Sequence, residues 1–414
     1  MRSVLFVVAT ASLSLAACDV FPRGFWGDEG EGEGAVAAGE GEGDGEGEGE
    51  GEGEGEGVAP FVPLRASDFD SIDVPHDPNG FDLNGAGIAT IAVVDPFTTV
   101  DAPRALRLAV ESTSSFVTHV VDSDVGGNGP GFLLSRAGQP TFVQESDTSV
   151  SIGNGALGAD DESVFSSFDP QFIVGVVAAR SGDGFVFLVL TEHSTDISTN
   201  PNCPFDEVCR DYSLVFVDDT TPGAFTPSPI ASNMGDGVAI LGVGAGDDGT
   251  ALMAWNQSEQ FFVGQKAPAD DTVSAIPVAS GFASLQTFAV GADGTAHLII
   301  DVPGQSELDD VAGRDGQFAT TALTTSASYA SDAAVGPDGT VFVTYLASAA
   351  AGDGTQSAAV HLVRSRGAQL DDSLIANVAA DIDQVFVGAL VRVDAQNRPH
   401  LMIESPTPTY LRPH

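Results

Sequence analysis

The stretches FAVGADGTAHLII (288–300) and AAVGPDGTVFVTY (333–345) decide the fold. Each has a short apolar run, then a turn of the form Gly-x-Asp-Gly-Thr, then a second run rich in apolar residues. Such runs, bounded by aspartate and glycine, predict a β-hairpin, and Asp-Gly suits a type I′ turn because both central residues need positive φ. The second strands begin 45 residues apart, at Ala296 and Val341. The chain is therefore built from a repeated β unit.

The same unit recurs elsewhere along the chain. LGVGAGDDGTALMAW (241–255) starts its second strand at Ala251, another 45 residues earlier, and LVRVDAQNRPHLMIE (390–404) is a degenerate copy. VAARSGDGFVFLVL (177–190) and LAVESTSSFVTHVV (108–121) are weaker copies. A period of about 45 residues, lengthened where loops intervene, is typical of β-propeller blades.

The repeats predict the number of blades. Six second strands can be placed, starting near residues 116, 186, 251, 296, 341 and 399. GFLLSRAGQP (131–140) resembles VHLVRSRGAQL (360–370), and both are predicted to be third strands of their blades. Too few residues follow Glu404 to complete the last blade, so GIATIAVV (87–94) is predicted to pair with its open edge. We expect an all-β propeller of six four-stranded blades, with seven blades as the alternative.

The N-terminal segment has the features of an export signal. Arg2 precedes an apolar run from Val4 to Leu15, which is too short to cross a hydrocarbon core of about 30 Å and is typical of a signal peptide. Leu15-Ala16-Ala17-Cys18 follows, and it resembles the lipobox of bacterial lipoproteins. That resemblance implies a signal peptide over residues 1–17 and a lipid on Cys18. The alternative is an ordinary cleaved signal in which Cys18 is incidental.

The resemblance to lipoproteins also implies a location. The mature chain would be exported and held in the bacterial cell envelope by the lipid on Cys18, with the inner membrane, the outer membrane and the cell surface left open. We predict a disordered tether over residues 18–57, because from Asp28 to Gly57 the chain is chiefly Glu-Gly dipeptides, in which glycine is flexible and glutamates repel each other. We interpret residues 58–84 as an Asp-rich linker and residues 85–414 as the propeller.

The composition restricts the partners. The formal net charge is −44, from 59 acidic and 15 basic residues, which argues against nucleic acid because phosphate binding needs clustered Lys and Arg. The segment SDFDSIDVPHDPNGFDLNG (67–85) is dense in Asp and Asn, but Phe81 breaks the spacing of an EF-hand. A solvated linker is the favoured interpretation, with calcium binding as the alternative. No other cofactor is predicted.

The cysteines and histidines offer two further predictions. Cys203 and Cys209 are an even pair in an exported protein, so a local disulfide is expected, and their C-x5-C spacing fits neither a zinc site nor a redox motif. His119, His297 and His400 lie in predicted second strands of different blades. Packing between blades is the favoured role, and convergence on the channel as metal ligands is the alternative.

The Asp-containing turns resemble those of sialidase-like bacterial propellers, in architecture only. The Asp-box of that superfamily reads Ser-x-Asp-x-Gly-x-Thr-Trp, whereas the turns here read Gly-x-Asp-Gly-Thr with no following Trp. A sialidase site also needs three arginines and a Tyr–Glu pair. No spacing singles out any of the candidates, which are Arg104, Arg107, Arg136, Arg180, Arg392, Tyr345 and Tyr410.

The sequence contains no Gly-x-Ser-x-Gly elbow, Walker loop or His-Glu-x-x-His motif, and no catalytic or metal-binding residues are predicted. The favoured function is therefore a non-enzymatic binding surface carried on a lipid-anchored stalk. The insertions near 146–170 and 193–211 are expected to set its specificity. The alternative is a glycan-processing hydrolase whose carboxylates and arginines meet at the mouth of the propeller channel.

Overall fold

Seven four-stranded antiparallel sheets surround a central channel in the computed structural model. The innermost strands contact one another in chain order, and the last contacts the first, so the ring is closed. The all-β prediction is confirmed, and seven blades, the stated alternative, replace the expected six. The structure describes residues 60–414 except 76, 96–103, 123–130, 136, 154–160, 168–170, 183, 196–208, 222–223, 233, 235–236, 259, 281–283, 303–306, 325–328, 351–355, 380–387 and 406.

The strands are numbered in chain order and run outward from the channel within each blade. A 3-10 helix over Ala66–Asp68 precedes β1 (Phe69–Asp73). The first three blades are blade 1, β2 (Asp77–Leu83), β3 (Ala89–Val94), β4 (Leu106–Glu111) and β5 (Phe116–Asp122); blade 2, β6 (Gly131–Leu134), β7 (Pro140–Glu145), β8 (Ser149–Gly153) and β9 (Glu162–Ser166); and blade 3, β10 (Gln171–Ser181), β11 (Gly184–Thr195), β12 (Cys209–Thr221) and β13 (Ala224–Ala231).

The remaining four blades complete the ring. They are blade 4, β14 (Val238–Ala245), β15 (Ala251–Gln257), β16 (Gln260–Lys266) and β17 (Ser274–Ser280); blade 5, β18 (Ser284–Val290), β19 (Ala296–Val302), β20 (Glu307–Arg314) and β21 (Gln317–Thr324); blade 6, β22 (Tyr329–Val335), β23 (Val341–Ala350), β24 (Gln356–Arg366) and β25 (Gln369–Ala379); and blade 7, β26 (Gly388–Val393), β27 (Pro399–Glu404), β28 (Thr409–Pro413) and β1.

The prediction of six blades is wrong because blade 2 lacks the Asp-Gly turn of the repeat. GFLLSRAGQP, predicted to be a third strand, forms β6 and the turn that follows it. The strand predicted at 116 as the second strand of a blade is β5, the outermost strand of blade 1. Both differences have one cause: the first hairpins of blades 1 and 2 contain no Asp-Gly, so these two blades lack the turn that marks the second strand in blades 4 to 6.

The N-terminal strand closes the ring. β1 pairs antiparallel with β28, from Phe69 opposite Pro413 to Asp73 opposite Thr409. Blade 7 therefore combines strands from both ends of the chain, as expected, but the closing strand is β1 and not residues 87–94, which contain β3 of blade 1. The segment 58–84, interpreted as a linker, contributes β1 and β2 to the propeller.

A five-residue turn joins the first two strands in six blades, as far as the described residues show. In blade 5 the N–H of Gly294 donates to the carbonyl of Gly291, and Gly294 has φ +77°. The aspartate before this glycine is not among the residues with positive φ, so the turn is type I followed by a left-handed residue and not the expected type I′. The other copies span 84–88, 135–139, 246–250, 336–340 and 394–398.

Apolar side chains pack between neighbouring blades. Phe69 lies in a cluster that joins blades 6 and 7, and Ile72 lies in one that joins blades 7 and 1. Among the described residues, no helix has the length and apolar character needed to cross a membrane.

Ring closure can be tested with Phe69→Ala. The Phe69 side chain is buried between blades 6 and 7, so the truncation removes apolar contacts and leaves a cavity, at a cost of about 3 kcal/mol in the free energy of unfolding. Ser71→Ala, at an exposed position of the same strand, is the matched control, with an expected change within about 0.5 kcal/mol. Denaturant unfolding measures both, and equal effects would contradict the closure role of β1.

Candidate functional site

The propeller presents two different faces. Because the strands of a blade alternate in direction, the turns between the first and second strands, such as 246–250 and 291–295, lie on one face, which we call the turn face. The connections between second and third strands, such as 146–148, and the crossings between blades lie on the opposite face, which we call the loop face. The predicted insertions 146–170 and 193–211 both include loop-face connections.

The channel contains two Asp–Arg pairs. A cavity of about 210 Å³ is lined by the innermost strands. Arg180 from blade 3 reaches Asp82 of blade 1, with Nη2 3.3 Å from Oδ1. The Asp82 carboxylate also accepts hydrogen bonds from the backbone N–H groups of Leu83 and Leu134, the latter in blade 2. Asp82 therefore links three successive blades.

The second pair joins blades 6 and 7. Arg392 Nη1 lies 2.9 Å from Oδ2 of Asp332, which also accepts from the backbone N–H of Val391 at 2.8 Å. The channel therefore contains carboxylates and arginines. A hydrolase at the channel mouth would require such polar groups. However, both carboxylates already accept hydrogen bonds from an arginine and from a backbone N–H. Such fixed partners suit a structural link between blades better than a general acid or base, which must exchange a proton.

The other residues considered for a sialidase-like site do not gather at the channel. Tyr410 donates to Oε2 of Glu111 at 3.1 Å, which gives the chain a Tyr–Glu pair. That tyrosine is fully buried between blades 7 and 1, and burial together with Glu111 raises its pKa, the opposite of what a nucleophile needs. Tyr345 bonds to Asp372 in blade 6, Arg104 and Arg107 contact Asp95, and Arg136 lies outside the described residues.

The three histidines lie apart in the ring. His119 is exposed on β5, whereas His297 is buried with Nδ1 2.9 Å from Oδ2 of Asp310. His400 is buried against Tyr410, and its pKa is lowered chiefly by that burial. In the part of the chain that the structure describes, no group of three or more His, Cys, Asp or Glu residues is placed to hold a metal ion.

The turn aspartates make local contacts. Asp248 accepts from the backbone N–H of Thr250 at 2.9 Å, and this bond, helped by Arg314, lowers the pKa of Asp248. Asp293 and Asp338 make the equivalent bond to Thr295 and Thr340. The aspartates therefore stabilise the turns in which they lie.

An unusual carboxyl lies on the loop face, at the end of β7. Both oxygens of Glu145 are buried and have no hydrogen-bond partner. Burial, with a smaller effect of the nearby Asp147 charge, raises the pKa of Glu145 to about 7. A buried carboxyl with a strongly raised pKa marks a candidate functional site, because a purely structural role would favour a partner for each oxygen.

Glu145 faces the boundary between blades 2 and 3. Val143, two residues earlier on β7, packs in the cluster that joins these blades, so the alternation of side chains along a strand directs Glu145 to the same side. On β11, Val189 packs in the same cluster, and His193 follows it by four residues, so His193 also faces this boundary. Its Nδ1 is likewise buried without a partner. The backbone N–H of Ile173 donates to the carbonyl of Asp147 and ties the two blades together here.

Sequence reasoning placed the specificity elements in this region but did not identify Glu145. The two predicted insertions begin beside Glu145 and at His193. Nothing in the local sequence distinguishes Glu145 from other glutamates, because its burial is produced by the neighbouring blade.

The predicted covalent sites fall largely outside the described residues. Cys18 and Cys203 lie outside them, and Cys209 begins β12, where only its backbone is described. No disulfide lies within the described parts of the chain, and a Cys203–Cys209 bond stays a prediction.

The sequence matches no protein-family model and no curated protein. Among solved structures, the polysaccharide lyase Uly1 is similar with a TM-score of 0.47 and 12% identity, covering 82% of this chain and 89% of that one. NanB sialidase from Streptococcus pneumoniae has a TM-score of 0.37 and 9% identity, covering 82% of this chain and 70% of that one. These similarities are of fold alone.

Prolyl oligopeptidase B from Galerina marginata has a TM-score of 0.44 and 11% identity, covering 79% of this chain. The present chain spans 46% of the length of that oligopeptidase. A partial match of this kind also bears on the fold only.

The raised pKa of Glu145 predicts a pH-dependent effect of Glu145→Gln. A carboxyl whose pKa is raised on folding is harmless while protonated, below its ordinary pKa near 4.5, and destabilises the fold as the pH rises through about 7. Glu145→Gln should therefore raise the free energy of unfolding by about 1 to 3 kcal/mol at pH 8 and leave it nearly unchanged at pH 4.5.

Denaturant unfolding at the two pH values measures this difference. Glu162→Gln, at an exposed position of β9 in the same blade, is the matched control and should have no pH-dependent effect. A gain in stability of equal size at both pH values would show that Glu145 is not a buried acid.

Proposed function

We propose that this protein is an exported, lipid-anchored propeller that binds a basic side chain of a partner between blades 2 and 3 of its loop face, without catalysis. The observation that carries the proposal is the Glu145 carboxyl, buried, without a partner and with a pKa of about 7. A lysine or arginine placed beside it would supply the missing donors and stabilise its charged form.

Two properties of the chain support a basic ligand. The net charge of −44 attracts cations over a distance and repels anions. Both oxygens of Glu145 are covered by neighbouring groups, so a ligand group must enter between the blades to reach them. A slender side chain such as that of lysine or arginine fits that requirement better than a bulky ligand.

The anchor gives this binding surface a place to act. We infer a lipid on Cys18 from the lipobox at 15–18, and an extended tether from the Glu-Gly dipeptides that follow it. A tether of about 30 flexible residues reaches about 30 Å on average, and charge repulsion lengthens it. The binding head would then contact partners at some distance from the membrane.

The anchor can be tested with Cys18→Ser in the full-length chain. Loss of the thiol removes the acceptor for the lipid, so the variant should leave the membrane fraction or accumulate with its signal uncleaved, whereas Cys209→Ser should stay membrane-bound. Fractionation and intact mass measurement of the processed protein report both results. A Cys18→Ser protein that is processed and still membrane-bound would contradict the anchor.

The binding proposal predicts a proton linkage. Near pH 6.5 the free Glu145 carboxyl is largely protonated, and a bound cation lowers its pKa, so binding should release protons and tighten as the pH rises from 5 to 8. The probes are Gly-Ser peptides that carry one arginine, one lysine or one glutamine. Calorimetry in two buffers of different ionisation enthalpy measures the protons released per peptide bound.

The variants give the proposal a clear outcome. Glu145→Gln should weaken the arginine and lysine peptides by roughly tenfold or more and abolish proton release, while Glu162→Gln should change neither. The glutamine peptide should not bind. Equal binding of all three peptides, or proton release that survives in Glu145→Gln, would contradict the site.

A glycan-processing hydrolase is the second candidate, because a carboxyl with a pKa near 7 is suited to general acid catalysis. Asp147, two residues further on, is exposed and would be the second carboxyl group of the pair. This candidate predicts turnover of neutral oligosaccharides, seen as new reducing ends that are lost in Glu145→Gln. Peptide binding without any such turnover would exclude it.

A further inference from the structure

A second cavity lies on the turn face, between blades 3 and 4, and has a volume of about 510 Å³. Its wall is formed by the first hairpin of blade 3, which departs from the five-residue turn of the other blades. In blade 3, the pairing of β10 with β11 has a bulge before Gly175 and then continues to Ser181, which lies opposite Gly184. In blade 4, the pairing of β14 with β15 has the same bulge before Gly242 but continues only to Ala245. The longer hairpin contributes Ser181, Gly182 and Gly184 to the lining of the cavity.

Lys266 lines this cavity and is the only lysine in the 414-residue chain. Its side chain is 8% exposed, and Nζ lies 3.0 Å from Oδ2 of Asp218, which is 9% exposed. Nζ also lies 5.7 Å from the centre of the Phe216 ring. An ammonium carries three N–H donors, and Asp218 is the one hydrogen-bond acceptor that the described residues give it.

The equivalent cations in the next two blades behave differently. Arg314 and Arg366 end the third strands of blades 5 and 6, and they pair with the turn aspartates Asp248 and Asp338. Those pairs are more exposed than the Lys266 pair, with the Arg314 and Asp248 side chains 40% and 46% accessible and the Arg366 and Asp338 side chains 28% and 36% accessible. Only in blade 4 is the cation a lysine, and only there is it buried beside a cavity. A purely structural ion pair between blades does not require a buried lysine beside a cavity, because burying an ammonium costs several kcal/mol.

The charges around the cavity restrict the ligand. Asp218, Asp219 and Asp247 outnumber Lys266 in the lining and give it an excess of negative charge that repels anions. A hydroxyl group both accepts and donates hydrogen bonds, so it can accept from Lys266 and donate to a carboxylate at the same time. Phe185 adds an apolar wall, which suits the C–H face of a sugar ring.

We infer that the cavity between blades 3 and 4 is a binding site for a neutral, hydroxyl-rich ligand of the size of a pyranose sugar. Lys266 donates to a ligand hydroxyl oxygen, and the rim carboxylate of Asp247 accepts from another hydroxyl. The site lies on the face opposite Glu145, so it is independent of the function proposed there. The cavity volume falls within the range of small-molecule sites, about 300 to 1,000 Å³.

The single lysine allows a direct test. Labelling the full chain with ¹⁵N-lysine gives one backbone amide signal, which belongs to Lys266. The probes are the methyl pyranosides of glucose, galactose and mannose, together with anionic glucuronate. At least one neutral pyranoside should shift the signal saturably, and glucuronate should bind at least several-fold more weakly.

Two results would overturn the inference. One is the absence of a saturable shift with every neutral pyranoside up to tens of millimolar, and the other is binding of glucuronate as tight as that of the neutral sugars. Both are measured on the unaltered protein and do not depend on a variant folding.

Variants then assign the binding to Lys266. Lys266→Met combined with Asp218→Asn removes the ammonium without leaving a buried charge alone, and saturation-transfer signals on the sugar should show affinity weakened by roughly tenfold or more. Arg314→Met, at the corresponding strand end of blade 5, is the matched control and should bind the sugar as the unaltered chain does. Unchanged affinity in the double variant would show that Lys266 does not recognise the ligand.

Discussion

The pairing of β1 with β28 is the constraint on which the rest of the structure depends. Each blade buries its apolar faces only against two neighbours, so a ring with one incomplete blade would expose both a sheet edge and an inter-blade core. β1 supplies the missing edge and buries Phe69 and Ile72. Arg412 strengthens the junction, because its guanidinium holds Asp70 of β1 and Glu111 of blade 1 together. The first and last strands of the described propeller are thereby fixed to each other and to blade 1.

The few basic residues reinforce the same closure. Most of those in the described part of the chain pair with carboxylates, and several of the pairs cross between blades. Arg180 and Arg392 do so inside the channel, and Lys266 does so between blades 3 and 4. Several of the acidic residues that outnumber them, such as Asp147 and Asp247, are exposed, whereas Glu145 is buried without a partner. The strong negative charge therefore coexists with an interior in which several buried carboxylates are paired, and it acts mainly on what approaches the molecule from outside.

The sequence predicted the fold well where the repeat is regular. The second strands expected at 251, 296 and 341 are β15, β19 and β23, because Gly-x-Asp-Gly-Thr marks their turns. Blades 1 and 2 use the same turn geometry with only the left-handed glycine retained, Gly87 and Gly138. Because the chain contains 49 glycines, a single glycine does not identify a turn of the repeat. The extra blade could therefore be found only by following the strand pairing.

The candidate sites were harder to predict because burial by a neighbouring blade cannot be deduced from the local sequence. Glu145 becomes unusual only when blade 3 covers it. Lys266 is the exception, since the composition alone distinguishes it as the single lysine of the chain. Its burial, however, depends on how blades 3 and 4 pack, and no pattern around residue 266 predicts that.

Both candidate sites lie where the repeat is broken. Regular blades present the same turn again and again, and the aspartates of those turns are occupied by their own backbone. Blade 3 departs from this pattern with its long first hairpin and encloses a cavity, while Glu145 lies where blade 3 packs against the short strands of blade 2. A repeated scaffold gains stability from uniform contacts between neighbours, so each departure gives up some of that uniformity. We therefore propose that the departures at blades 2 to 4 serve binding and not packing.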